Sequence, residues 1–288
     1  MNITEALNNS FSLLSNVSKT YKLDAEVLLA HVLNKKNRLD IYLDLNQELN
    51  IKEKKKFEDL VKQRVTKKPV SKIINQKSFW NFDFDISKKV LIPRPETEVL
   101  IEMVTKKFNV NKDIKFLDIG CGSGCISISL LDYFKKSNGA AIDISKDAVL
   151  NTQLNLNNFN LTNRLKVLKK NIFSYKTEKK FDLIISNPPY LKLSDYINLD
   201  QGIKIYEPKE ALIGDNKEGL KFYKEIIKKF KNNLKYNGYF GFEIGDNQFL
   251  KVKKLLNLHG FVIVSEHKLI NNQVRCLLAK KIKNYALQ

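Results

Sequence analysis

At 288 residues and 43% hydrophobic composition, the chain is long enough for one large or two modest domains with a real core. No apolar run approaches the ~20 residues of a membrane-spanning helix, and three cysteines (Cys121, Cys125, Cys276) make no disulfide framework. The net charge of +19 favours encounter with RNA or a ribosomal complex, although lysines scattered over solvated faces are the simpler reading.

The start, Met1-Asn2-Ile3-Thr4-Glu5, lacks a basic region followed by an apolar core, so no signal peptide is expected. With the free cysteines this points to the cytoplasm. Residues 1 to about 75 read as helices. Asn2 with Glu5 fits a capping box, and Leu7, Phe11 and Leu14 recur at helical spacing. Residues 24–33 and 51–65 are two further amphipathic segments, the second closed by Lys68-Pro69. Over residues 79–86 the pattern alternates, with Phe82, Phe84 and Ile86 on one face and Asp83 and Asp85 on the other. This predicts a strand of a β-hairpin. Pro95 suits the first turn of a helix running to about Phe108. Strands are then expected near 114–119, 139–143, 165–169, 182–186, 238–243, 261–265 and 274–280, alternating with helices. That alternation is the signature of an α/β, doubly wound sheet. The expected divisions are 1–75 for a helical domain, 76–93 for a hairpin linker and 94–288 for the α/β domain.

Two stretches carry chemistry. In the first, the apolar strand Ile114-Lys115-Phe116-Leu117-Asp118-Ile119 runs into Gly120-Cys121-Gly122-Ser123-Gly124 and then a helical pattern. Glycines there permit positive φ and a close approach of the backbone to a ligand at a helix N-terminus. Asp143 ends the next strand, about 23 residues after Gly120, where a carboxylate can accept from both hydroxyls of a ribose. Dinucleotide enzymes share this logic, but their third glycine falls one residue later. Asp118 would also repel a pyrophosphate and favours a ligand bearing an ammonium group. Cys121 and Cys125, with only three histidines in the chain, make no persuasive zinc site.

The second stretch is Asn187-Pro188-Pro189-Tyr190, after the apolar run Phe181-Asp182-Leu183-Ile184-Ile185-Ser186. Two prolines cannot continue a ladder, so the tetrapeptide sits at the carboxyl end of a strand, where open α/β sheets hold ligands. It offers a side-chain amide, a carbonyl followed by a residue with no N–H, and an aromatic face. Those features suit a planar group bearing an NH2. The segment from 191 to about 217 reads as a long irregular lid or binding loop.

Together these residues resemble the class I S-adenosylmethionine-dependent methyltransferases, and the tetrapeptide resembles the subset that methylates planar amino or amide nitrogens. Leu91-Ile92-Pro93-Arg94-Pro95-Glu96-Thr97-Glu98 is similar to the segment preceding the catalytic domain in the PrmC/HemK family. Tyr206-Glu207-Pro208 with Ala211-Leu212, Gly214 and Gly219-Leu220 resembles a later segment of that family, as does Phe242-Glu243-Ile244-Gly245 with Gln248. The likeness covers essentially the whole chain. It implies a Rossmann-like sheet whose last strand is antiparallel, with a small helical N-terminal domain that binds substrate. It also implies methyl transfer from S-adenosylmethionine, leaving S-adenosylhomocysteine, without a metal. The acceptor would be the glutamine amide nitrogen in the Gly-Gly-Gln motif of class I peptide chain release factors, which modulates translation termination. A monomer working near the ribosome is the default expectation.

The cofactor-binding residues so implied are Asp118, Gly120, Cys121, Gly122, Gly124, Asp143, Asn171 and Asn187. The substrate-binding residues are Asn187, Pro188, Pro189 and Tyr190, of which Asn187, Pro188 and Tyr190 are the catalytic set. Asn171 stands where the family often has an acid, and the stretch from Gly214 to Leu220 is one residue longer than the family pattern. Arg94 is expected to pair with Glu96 or Glu98 or with a backbone carbonyl, and Glu207 and Glu243 to be scaffolding. An amide nitrogen is a poor nucleophile because its lone pair is delocalised, so acceptors opposite its two N–H bonds are expected from the Asn187 oxygen and the Pro188 carbonyl, with Tyr190 against the flat amide.

Two other readings compete. Methyltransferases acting on adenine or guanine amino groups use the same tetrapeptide, and the charge favours them. The helical N-terminus, the Ile92-Pro93-Arg94-Pro95-Glu96 segment and the lack of a target-recognition insertion disfavour them. A non-catalytic release-factor adaptor is the other, against which stand the intact Gly120, Gly122, Gly124, Asp143 and Asn187.

Overall fold

The computed structural model describes residues 1–281. Residues 282–288 of the expected α/β domain lie outside the described part. Two compact units are formed, one from Met1–Gln76 with Asp200–Tyr206, the other from Lys77–Leu199 with the stretch from Glu207 onward.

In the first unit, α1 (Ile3–Leu14) starts at the expected capping box: Glu5 N–H donates to Asn2 Oδ1 at 2.9 Å and Asn2 N–H to Glu5 Oε2 at 3.1 Å. After α2 (Tyr21–Val32), α3 (Ile51–Val65) opens on a second such box, Asn50 with Glu53, and the short α4 (Val70–Ile74) follows Pro69. Each box satisfies N–H groups that a helix start leaves orphaned, worth about 1 kcal/mol. Leu7, Leu14, Leu28, Leu29, Ile41, Phe57 and Val61 form the unit's core. Arg64 Nε donates to Asp24 Oδ2 at 2.8 Å beside that core.

The alternation read over 79–86 resolves into a hairpin of two short strands, β1 (Gln76–Phe79) and β2 (Phe82–Asp85), with Trp80 at positive φ in the turn. Phe79 and Phe84 are buried in the core of the second unit. The Asn151 and Asn155 amides both donate to the Asp85 carbonyl, at 2.7 and 2.9 Å. That clamp sets the course of residues 86–93, whose Ile86, Val90 and Ile92 bury themselves with Ala148.

The remaining elements are α5 (Pro95–Thr105), β3 (Lys115–Ile119), α6 (Cys125–Tyr133), β4 (Asn138–Asp143), α7 (Lys146–Asn158), β5 (Leu165–Lys169), β6 (Phe181–Ser186), β7 (Leu191–Lys192), α8 (Leu193–Ile197), α9 (Gln201–Tyr206), β8 (Ile213–Asp215), α10 (Lys221–Phe230), β9 (Leu234–Glu243), α11 (Phe249–Leu258), β10 (Phe261–Lys268) and β11 (Val274–Lys281). Seven strands make one sheet in the order β10-β11-β9-β6-β3-β4-β5. The last strand, β11, is antiparallel to both β9 and β10, and the ladders among β9, β6, β3, β4 and β5 are parallel. Alternate strand residues feed opposite helical layers. Phe116, Leu183 and Ile185 face α5 and α6, while Leu117, Ile184 and Phe240 face α10 and α11. Burial on both faces is why the strands read as continuous apolar runs. Among the described residues no helix is long and apolar enough to cross a membrane.

The segment expected as one irregular loop is built from short pieces instead. It holds α8, the parallel pair β7 and β8, and α9, which packs with the first unit. Helices of five and six residues carry too little periodicity to be read from sequence. The one-residue-longer turn after β8 is closed by Asp215. Its carboxylate accepts backbone N–H bonds from Lys217, Glu218, Gly219, Leu220 and Lys221, at 2.7 to 3.0 Å. Against the cost of partial burial, these donors hold its pKa well below the usual carboxylate range. The Asp215 contribution to stability is therefore present above the ordinary aspartate pKa and lost as pH falls through the depressed one. Asp215→Ala is expected to lower stability by about 1–2 kcal/mol at neutral pH. Denaturant unfolding at neutral and acid pH checks this, and the gap between the two proteins should shrink in acid.

Candidate active site

The sheet order turns around at β3, with β4 and β5 on one side and β6 and β9 on the other. Such a switch point opens a crevice at the carboxyl ends of the strands. Ser186 Oγ donates to the Ile119 carbonyl at 2.6 Å, so the residues preceding Gly120 and Asn187 are tied together. The glycine loop and the tetrapeptide thus meet although they lie far apart in sequence.

Gly120 and Gly122 have φ of +78° and +56°, and a Cβ on either would project into open space. Their backbone is therefore bare to whatever occupies the crevice. Gly122 N–H donates to Asp143 Oδ2 at 3.1 Å and Ser145 N–H to Asp143 Oδ1 at 2.9 Å. Burial raises the Asp143 pKa, opposed by those N–H donors. Each carboxylate oxygen keeps a further lone pair for a ligand hydroxyl.

These residues wall a cavity of about 500 Å³, within the range of small-molecule sites. Of the residues picked out from sequence, Gly120, Cys121, Gly122, Asp143, Asn171, Asn187, Pro188 and Pro189 line it. Asn171 Oδ1 accepts from Phe173 N–H at 2.9 Å, which fixes the amide at the end of β5. Apolar wall is supplied by Ile144, Ile172, Phe222 and Ile226, and more wall by Val90, Leu91, Pro93, Arg94 and Thr97. Leu91, Pro93, Arg94 and Thr97 fall in the stretch 91–98, whose likeness to a family segment implied support of the cofactor or substrate pocket without a catalytic role; the others carried no such signal. Among the described residues no group of metal-ligating side chains occurs.

Three expected site residues lie off the cavity wall. Asp118 is fully buried beneath the glycine loop, where Ser127 Oγ donates to its Oδ2 at 2.6 Å and its Oδ1 has no partner. Burial pushes its pKa up to about 7. Gly124 caps α6 at φ +84°, and a Cβ there would lie 2.9 Å from the Thr152 methyl. Its role is packing. Tyr190 does not line the cavity: the Arg275 guanidinium sits 5.1 Å from its ring centre and its hydroxyl is 3.5 Å from Glu243 Oε1. Its main chain is pinned by Gln248 Nε2, which donates to the Tyr190 carbonyl at 2.8 Å. A Cβ on Gly219 would fall 1.9 Å from that same oxygen, so only glycine fits there.

The carboxylates expected to be scaffolding are buried partners of the cavity wall. Arg94 Nη2 donates to Glu207 Oε1 at 2.6 Å, so Arg94 pairs with Glu207 and not with Glu96, Glu98 or a carbonyl. Ile92 N–H donates to the other Glu207 oxygen at 3.3 Å. Thr97 Oγ1 donates to Glu243 Oε2 at 2.5 Å, and Asn187 Nδ2 donates to Thr97 Oγ1 at 3.2 Å. Burial raises the Glu243 pKa, opposed by the Thr97 bond and by Arg275.

Residues 95–201 match the family model described as "Methyltransferase small domain", and residues 5–74 match "PrmC N-terminal domain". The release factor glutamine methyltransferase of Clostridium acetobutylicum is 35% identical over 284 residues, covering 97% of this chain and 98% of that protein. That of Clostridium botulinum is 37% identical over 265 residues, covering 91% and 93%. A bifunctional methyltransferase of Rickettsia prowazekii is 35% identical over 259 residues, covering 84% of this chain and 50% of the longer protein. A crystal structure of a methyltransferase from Pyrococcus furiosus shares the fold, with a TM-score of 0.53 at 17% identity over 71% of this chain and 91% of that one. With relatives this similar along nearly its whole length, the chain belongs to the release factor glutamine methyltransferase family.

Proposed function

We propose that this chain methylates the side-chain amide nitrogen of the glutamine in the Gly-Gly-Gln motif of class I peptide chain release factors, using S-adenosylmethionine. One observation carries the reading: Asn187 shares a cavity with the bare glycine loop and Asp143, and its NH2 is committed to Thr97, which leaves its oxygen for a ligand. A substrate amide needs acceptors at that place.

The cavity suits the methyl donor. Open space over Gly120 and Gly122 would receive a ligand against the main chain, Asp143 would accept from a ribose diol, and Asn171 with Ile172 and Phe222 would border a flat base. When bound, S-adenosylmethionine supplies an electrophilic methyl on a sulfonium. The protein's own groups then orient the acceptor. Asn187 Oδ1 and the Pro188 carbonyl take one N–H bond each, fix the nitrogen's direction and stabilise the positive charge that builds on it. Pro189 has no N–H and so cannot compete for the substrate's carbonyl or crowd the site with a donor. A strong base is unnecessary, because an N-protonated amide is very acidic and loses its proton to water. Tyr190 steadies the turn, its carbonyl held by Gln248 and its ring against Arg275.

The first unit is proposed to contribute to release-factor binding. That choice of partner fits a cytoplasmic protein that meets its substrate near the ribosome, and a monomer is proposed. Labelled methyl transfer to a purified release factor, beside the same factor with its glutamine substituted, tests the activity. Label on the unsubstituted factor only is expected; equal labelling of both would overturn the choice of acceptor.

A further inference from the structure

An asparagine amide has nearly the same shape in its two orientations, with oxygen and NH2 exchanged. Packing alone therefore cannot decide which atom Asn187 turns to the cavity. The choice matters, because an NH2 there would oppose the N–H bonds of a substrate amide.

Hydrogen-bond direction decides it. Thr97, in the first turn of α5, stands between Asn187 at the end of β6 and Glu243 at the end of β9. A hydroxyl has one proton to give. The Thr97 proton goes to Glu243 Oε2, so Thr97 can only accept from Asn187 and demands its NH2. The other Glu243 oxygen faces donors too, the Tyr190 hydroxyl at 3.5 Å and Arg275 Nε at 3.7 Å. Glu243 is 0% and Thr97 2% exposed, which leaves no water to reverse the chain of donors.

We propose that Glu243 and Thr97 are positioning residues that lock Asn187 with its oxygen toward the substrate, a role that rests on the glutamine-methylating reading above. Glu243→Gln tests the direction of the chain with little change in shape. The Tyr190 hydroxyl and the Arg275 positive charge favour the new amide's oxygen on their side, so the NH2 faces Thr97. The Thr97 proton must then turn to Asn187, which flips and presents its NH2 to the cavity.

Steady-state kinetics on release factor, with calorimetry of S-adenosylmethionine binding, reads the outcome. Glu243→Gln and Thr97→Val are each expected to lower kcat about 10-fold or more, with KM and cofactor affinity close to those of the unaltered enzyme. Thr97→Ser should recover most of the rate lost in Thr97→Val. The double variant should be no slower than Thr97→Val alone, because both changes break one chain. Full turnover in Glu243→Gln, equal losses in Thr97→Ser and Thr97→Val, or multiplying losses in the double variant would each overturn the lock. If the unaltered enzyme labels nucleic acid instead, the glutamine reading fails, and the same variants on that substrate still decide the lock.

Discussion

Replacing Asn187 with alanine is expected to cut turnover about 10²-fold or more, while the affinity for S-adenosylmethionine stays nearly unchanged. The loss corresponds to about 2.7 kcal/mol of barrier, the size seen when one preorganised hydrogen-bonding partner of a transition state is removed. The two effects separate because of topology. Asn187 follows β6, whereas the glycine loop follows β3 and Asp143 ends β4, strands that lie across the switch point from β6. Alanine also frees Thr97, which keeps its bond to Glu243 and so leaves no buried proton donor stranded. The variant should therefore fold and bind cofactor. Single-turnover kinetics with calorimetry checks both halves, and near-normal turnover would refute the role given to Asn187.

Asp143→Ala should produce the opposite pattern. Cofactor affinity is expected to fall about 10–100-fold, the equivalent of hydrogen bonds to a charged acceptor, with turnover at saturating cofactor reduced much less. Two losses combine: the acceptors for a ribose diol, and the anchor that Gly122 and Ser145 N–H groups use. The pH dependence carries a definite sign. Burial raises the Asp143 pKa, against its backbone donors, and hydroxyl donors prefer the ionised carboxylate. Affinity should be flat above that raised pKa and weaken as pH falls through it. The alanine variant should lose this slope. Unchanged affinity in Asp143→Ala would mean that the ribose is held elsewhere.

The parts that were legible in sequence are local. Phe181 to Ser186 reads as a strand because it is buried on both faces, and Gly120, Gly122, Asp143 and Asn187 read as site residues because each lies at a strand's carboxyl end or within the three residues after it. Capping at Asn2 was equally local. What escaped depends on partners distant in the chain. Thr97 lies 90 residues from Asn187 and 146 from Glu243, and Arg94 lies 113 from Glu207. No spacing rule connects such pairs. The contacts of Tyr190 and Asp118 are equally non-local or hidden from pattern: the Arg275 guanidinium of β11 lies over the Tyr190 ring, and Asp118 is buried beside Ser127 of α6.

The most direct measurement is to offer the enzyme labelled S-adenosylmethionine with release factor, DNA and rRNA together, and to map the methyl by fragmentation mass spectrometry. A single methyl on the side-chain nitrogen of the Gly-Gly-Gln glutamine, lost with Asn187→Ala, is the predicted result. Methyl groups on nucleic acid with none on the release factor would contradict the account and make the +19 charge the leading clue to the substrate.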